Sequence, residues 1–491
     1  MIINKNSSGI IFLILTVIVS GLNFSACISN SASAESGEPN AVIIVDTNTR
    51  YQYVRGFGGM DVGWSNFPET NAGDTELMYN PDTGLGLNIL RIMIMPENTD
   101  INITMSQLVS GSRPDYYENV KIVNRYGGYV LASPWSPPAA WKSNNSTSGN
   151  GRLRTEYYQD YADYLKAFAM NMHQNGAPVY AVSIQNEPNY EVTYDGCLWS
   201  NNEMRDFFLQ TGHFTDGAPG FGGGTALPSA LTMNGESANH PNINDAALNN
   251  AESRAVIDLI GRHTYGNRRI RYGNAHDHPT DPKEVWMTEH NINSGNNDGY
   301  PLDSTWNLVW KFMNDVDLSI RLNDENAYIW WAAKRFYSFI GDGRFNTDDG
   351  KILPRGYAIS HYAKFAKETY RVNVTASGRT AGGDTVSSRN FNSSQNDLDN
   401  ISARATAFVS PDGNVISLVL FTPTSQNGAT GADMGIVKIQ LPDGFIIREA
   451  EAMRSSLNNY AAQEEVNICE DRNSAIVRLP RSNILSLRFT R

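Results

Sequence analysis

Cysteine is nearly absent from this chain: Cys27, Cys197 and Cys469 are the only three in 491 residues. That number excludes a disulfide-built scaffold, and no Cys/His cluster has zinc-ligand spacing. Cys197 and Cys469 lie far apart in sequence and are expected as two unpaired thiols. Charge is sparse too, at 18% against 41% hydrophobic residues, which excludes a disordered chain and supplies a large core. Positive charge is in deficit, with 39 Lys and Arg against 51 Asp and Glu. A net charge of -12 speaks against general nucleic-acid binding. It also means that an anionic substrate needs a local cation. No phosphate loop is present, because Gly56-Phe57-Gly58-Gly59 lacks both the Gly-x-Gly-x-x-Gly pattern and a following helix. Those glycines read instead as points of close backbone packing.

Long hydrophobic runs are missing as well. Ile10 to Val19 is almost wholly apolar but too short to span a bilayer comfortably. Behind the weak positive start at Lys5 it reads as an export signal. Phe24-Ser25-Ala26-Cys27 places small residues before a cysteine, which resembles a bacterial lipoprotein cleavage site with Cys27 as the lipidated, membrane-attached residue. Ordinary signal cleavage nearby is the alternative. The expected location is therefore secreted, or anchored at the cell surface or outer membrane. The Ser/Ala/Glu/Gly-rich stretch that follows is a flexible tether.

What the chain does have is a regular alternation of buried strands and helices. Strand-like runs fall at Val54–Met60, Leu87–Ile94, Gly128–Trp135, Val179–Glu187, Ala230–Ser237, Ala255–Tyr265, Val285–His290 and Ala327–Ala333. Glu156–Asn175 carries a helical apolar stripe that ends at a glycine, and Trp306–Leu322 and Gly356–Lys367 also read as helices. Eight such units predict an α/β fold, a (β/α)8 TIM barrel. From about Tyr370 the pattern changes to alternating strands with Pro-Asp-Gly turns, which predicts an attached C-terminal antiparallel β-sandwich domain. The expected division is 1–26 signal peptide, 27–40 tether, 41–53 a strand joining the sandwich, 54–369 barrel and 370–491 sandwich.

Two glutamates close buried strands. Gln185-Asn186-Glu187-Pro188 ends the fourth, where Pro188 cannot continue a ladder. Trp286-Met287-Thr288-Glu289 ends the seventh, 102 positions later, a distance that three βα units of about 35 residues would cover. Both carboxylates then sit at the C-terminal face, where barrel enzymes keep their chemistry. Paired carboxylates at such a mouth suit glycoside hydrolysis, one donating a proton to the leaving oxygen and the other attacking the anomeric carbon or activating water. Arg91 is a charge inside an apolar strand and needs a partner. Trp64, Trp135 and Trp331 are candidate sugar platforms, with core packing as the other reading.

Four motifs together carry a family resemblance: Arg55-Gly56-Phe57-Gly58-Gly59, Ser133-Pro134-Trp135-Ser136-Pro137-Pro138, Gln185-Asn186-Glu187-Pro188-Asn189-Tyr190 and Trp286-Met287-Thr288-Glu289. From about Val54 to the C-terminus the chain resembles glycoside hydrolase family 30. The resemblance implies a retaining mechanism with Glu187 as acid/base and Glu289 as nucleophile. It implies that Asn186 bonds the sugar 2-hydroxyl, that Arg91 supports Glu289, and that His263 and Tyr265 match a His-x-Tyr on strand six, with Tyr265 bonding the nucleophile. It implies no metal and no cofactor. Around the eighth strand the chain is similar to the bacterial glucuronoxylanase subfamily, in which an Arg and a Tyr two apart grip a glucuronic-acid branch; Arg335 and Tyr337 have that spacing. The expected function is endo-xylanase action on glucuronoxylan by a monomer. The alternatives are the same mechanism on another β-glycan (β-1,6-glucan, β-1,6-galactan or a glucosylceramide-type glucoside) and a non-catalytic carbohydrate-binding surface protein.

Overall fold

The structure, a computed structural model, describes residues 38–96, 116–265, 270–292, 306–386, 403–423 and 432–491. The export segment and Cys27 lie outside these residues, and no helix among them is long and apolar enough to cross a membrane.

Eight parallel strands close into a barrel. In chain order they are Gly56–Asp61, Ile89–Ile94, Tyr129–Pro134, Ala181–Ser183, Leu231–Ser237, Leu259–His263, Glu284–His290 and Ala327–Trp330. Each pairs with its sequence neighbours, and the eighth closes on the first. The first strand relies on its glycines. A Cβ at Gly58 would lie 1.8 Å from the Ile89 carbonyl oxygen, and one at Gly59 would lie 2.7 Å from the Ala333 Cβ.

Two apolar layers fill the barrel. A cluster that includes Ile89, Leu131, Met233, Trp286 and Ile329 plugs its interior. A second, of Met60, Val62, Met93, Trp135, Trp331 and Ala332, lines the end where the site lies, with Trp64 and Phe67 packed on it. Helices Tyr158–Gln174, Trp306–Leu322 and Pro354–Phe365 pack outside, their apolar residues joining the main core.

Two strands differ most in extent from the sequence pattern. The sixth is Leu259–His263 rather than Ala255–Tyr265, because Ala251–Ala255 forms a short helix capped by the Asn250 side chain. The fourth is only Ala181–Ser183, since the chain leaves the ladder well before Pro188 and turns at Glu187 with φ +46°.

The side domain is one continuous ten-stranded sheet whose face encloses a separate core. The N-terminal strand runs from Ala41 to Val54 and sits inside this sheet, antiparallel to Thr369–Gly378 and parallel to Ile436–Gln440. The sheet is therefore antiparallel with one parallel pairing, which closes N- and C-terminal segments into one unit. It docks on the barrel through Phe408, Val419, Phe421, Met453 and Ile484, which belong to the barrel's helical core cluster. His361, on helix Pro354–Phe365, is fully buried at this junction. Its Nδ1 and Nε2 lie 2.8 Å from the Ser486 and Ser455 hydroxyls. Burial lowers its pKa to about 3, so the ring is neutral.

One expectation about cysteine fails. Cys197 is a free, buried thiol, whereas Cys469 is disulfide-bonded.

Candidate active site

The segments after six of the eight barrel strands line a cleft of about 510 Å3. Trp64 and Phe67 follow the first strand, Trp135 the third, Tyr190 and Tyr194 the fourth, Ala238 and Asn239 the fifth, Tyr265 the sixth and Trp331 the eighth. The rings contact one another: Trp64 meets Trp135, Tyr194 and Trp331 at centroid distances of 5.8, 5.6 and 5.8 Å, all edge-on. Glu187 and Glu289 form the floor together with Asn186.

Glu187 is held from both chain directions. Its N–H donates to the Glu236 carbonyl and its own carbonyl accepts from Tyr190 N–H, fixing the turn. The preceding Asn186 N–H donates to the Pro134 carbonyl, and Gln185 Nε2 donates to the Trp135 carbonyl. Among the described residues the side chain has two hydrogen-bond partners. His263 Nδ1 lies 3.0 Å from Oε1, and the Tyr194 hydroxyl donates to Oε2 at 3.4 Å.

Glu289 is gripped oxygen by oxygen. Arg91 Nη1 donates to Oε2 at 2.7 Å and the Tyr265 hydroxyl to Oε1 at 2.9 Å. Desolvation around the hydroxyl and the Glu289 carboxylate push the Tyr265 phenol well above the ordinary tyrosine range, although the residue as a whole is 38% exposed, so it stays a donor. Burial opposes the charge on Arg91, but Glu236 and Glu289 outweigh it and keep the guanidinium ionised. The remaining Arg91 donors are used too: Nη2 reaches Asn186 Oδ1 at 2.6 Å, and Nε reaches Ser133 Oγ at 3.1 Å. The guanidinium also stacks over the Trp135 ring at 4.9 Å.

One oxygen of Glu187, one of Glu289 and a ring nitrogen of His263 lie within 4.8 Å of one another. Such a trio has the donor types of a metal site, yet both Glu289 oxygens already accept bonds from Arg91 and Tyr265. The arrangement suits two carboxylates acting on one bond between them.

Of the residues singled out in the sequence, Glu187, Glu289, Asn186, Trp64, Trp135, Tyr265 and Trp331 meet in the cleft. Arg91 lies beneath them, fully buried. His263 is also fully buried, so it contacts the Glu187 carboxylate from below instead of lining the cleft. Arg335 and Tyr337 do not join the group. They are 2% and 1% exposed, and neither lines the cleft. Arg335 stacks on Phe67 at 4.6 Å, donates to the Asn66 carbonyl and faces the buried Asp342 at 3.8 Å. Its charge is already compensated inside the protein, which removes it as a grip for an outside carboxylate. The local cause is the eighth-strand loop, which folds back so that Lys334 bridges to Ile340 and Ile340 to Ile352.

Sequence reasoning missed Tyr190, Tyr194, Asn239 and Glu236. A signal existed for Glu236, an acid inside the strand Leu-Thr-Met-Asn-Gly-Glu-Ser, of the same kind that marked Arg91. None existed for the two loop tyrosines.

A closed barrel with facing carboxylates in an aromatic cleft, joined to a sheet built from both termini, has the architecture of a glycoside hydrolase. Residues 114–307 match the glycosyl hydrolase family 30 TIM-barrel domain, and the chain is a glycoside hydrolase. It is 28% identical over 349 residues to glucuronoxylanase XynC of Bacillus subtilis (strain 168), a match covering 68% of this chain and 72% of that one. The fold is similar to that of a family 30 subfamily 8 xylanase, Xyn30A, from Clostridium acetobutylicum. That comparison has a TM-score of 0.71 and 24% identity and covers 92% of this chain and 100% of that one. The endo-β1,6-glucanase BT3312 shares the fold at TM-score 0.61 and 18% identity, over 93% of this chain and 95% of that one. As a glycoside hydrolase with xylanase homologues, the chain is an enzyme acting on a polysaccharide, and the non-catalytic reading falls away.

Proposed function

We propose that this enzyme is a retaining endo-xylanase that cleaves β-1,4-xylosidic bonds of glucuronoxylan. The observation that carries the mechanism is the carboxylate spacing of at most 4.8 Å between nearest oxygens. Retaining enzymes hold their two carboxyl groups roughly 5–5.5 Å apart, whereas inverting ones need about 6.5–9.5 Å to admit a water. Glu289 attacks the anomeric carbon while Glu187 protonates the departing oxygen. Glu187 then takes a proton from the water that releases the sugar from Glu289. Arg91 and Tyr265 each donate to one oxygen of Glu289 and so fix its orientation towards the sugar. Asn186 spends its carbonyl oxygen on Arg91, which leaves its amide N–H groups to donate to the sugar 2-hydroxyl.

The likeness to glucuronoxylanase XynC supports the substrate class. Recognition of an acidic branch falls to groups other than Arg335 and Tyr337. Digestion of methylglucuronoxylan, unbranched xylan, β-1,6-glucan and β-1,6-galactan tests the reading, with products sized and the anomeric outcome followed by NMR. Xylo-oligosaccharides released as the β-anomer are expected. Cleavage of β-1,6-glucan without cleavage of xylan would overturn the substrate, and release of the α-anomer would overturn the mechanism. The segment before the tether supports export; mass spectrometry of the mature N-terminus tests it.

A further inference from the structure

Glu236 lies on the fifth barrel strand, is fully buried and does not line the cleft. Its Oε2 stands 2.9 Å from Arg91 Nη2, and no hydrogen-bond donor meets Oε1 among the described residues. Arg91 thus lies between two carboxylates, Glu236 and Glu289, with one positive charge for both. The main chain of Glu236 is equally engaged. Its carbonyl accepts the Glu187 N–H at 3.0 Å, and its N–H donates to the Gln185 carbonyl at 3.0 Å. One residue therefore fixes the turn of one catalytic carboxylate and, through Arg91, faces the other.

We propose that Glu236 is a positioning residue that sets the charge balance of the nucleophile by sharing Arg91 with Glu289. A buried ion pair is costly unless it is completed. A lone Arg91–Glu289 pair would hold the nucleophile as a fully neutralised, weakly nucleophilic carboxylate. The second carboxylate leaves the trio with a net negative charge beside the anomeric carbon, where positive charge develops in the transition state. The groups that face this trio are Asn186 and Glu187 from the fourth strand's end, His263 and Tyr265 from the sixth, and Ser133 from the third.

The inference rests on Glu289 being the nucleophile, and the experiment separates the two ideas. Glu236→Gln, Glu236→Asp and Glu289→Gln are compared with the parent enzyme on an aryl β-xylobioside across pH, with thermal melts of each. Removing a neighbouring negative charge favours ionisation of Glu289. In Glu236→Gln the acid limb of kcat/KM should therefore move to lower pH by about one unit. Its kcat should fall about tenfold with KM nearly constant. Glu236→Asp keeps the charge and should return the limb towards the parent position. An unmoved limb in both variants, with a folded protein by melting, overturns the proposal; so does a change confined to KM. If Glu289→Gln retains full activity, it is the assignment of the nucleophile that fails.

Discussion

The Tyr265 hydroxyl donates to Glu289 Oε1 at 2.9 Å while Arg91 holds Oε2, so the proposed nucleophile meets the sugar with each oxygen on a different element. A hydrogen bond to a charged group contributes roughly 1.5–3 kcal/mol, which corresponds to about 10- to 150-fold in rate if it matters in the transition state. Tyr265→Phe should lower kcat/KM on xylan by that range and leave the melting temperature nearly unchanged. Steady-state kinetics with a thermal melt check both halves.

The proton donor has a different signature. General acid catalysis supplies about 10²–10⁴-fold, and it is needed most where the leaving group is poor. Glu187→Gln should lose that factor on xylan. On an aryl xylobioside with a good leaving group the first step should survive, and the glycosyl-enzyme should accumulate. A pre-steady-state burst of the aryl alcohol is the measurement, and full hydrolysis of xylan by this variant would remove Glu187 from its role.

Arg335→Ala is expected to act on stability, not on substrate choice. The guanidinium is buried against Asp342 and Phe67, and removing one partner of a buried pair costs about 3–5 kcal/mol. Denaturant unfolding should show that loss, while the ratio of activities on branched and unbranched xylan stays constant. A selective fall on the branched substrate in a stable variant would reinstate the clamp.

The junction of barrel and sheet carries a pH dependence. The folded pKa of His361 is about 3, below its unfolded value near 6.5. Above that value neither state binds the proton, so the residue has no effect on the pH dependence. Between about 6.5 and 3 the unfolded chain takes up a proton that the folded one does not, and stability falls by up to about 1.4 kcal/mol per pH unit. His361→Gln removes this contribution. Its unfolding free energy should decline less steeply than the parent's between pH 6.5 and 4, as measured by urea titration at each pH.

The barrel was legible because its strands are short apolar runs ending in polar residues, and its helices carry stripes with glycine stops. Local patterning dictates both. The two glutamates stood out because a carboxylate closing a buried strand is chemically out of place, and strand order alone puts such tips at one end. The N-terminal strand's membership of the side sheet was less visible. Its pairing with residues more than 300 positions away is a long-range event, and only the Ala41–Val45 half reads as a strand locally. Arg335 and Tyr337 show the limit most plainly. Their spacing suggested a grip on an anionic branch, but spacing says nothing about which way a loop folds, and this one buries both side chains. Glu236, Tyr194 and Asn239 reach the site for the converse reason: barrel closure brings together residues that no sequence window contains. The sequence by itself determined the architecture and the two carboxylates, since those follow from local periodicity and misplaced charge. Only the tertiary structure decided how Arg91 is shared, what holds Glu187, and which rim residues stay outside the cleft. Those depend on distances across the closed barrel and on where burial places each charge.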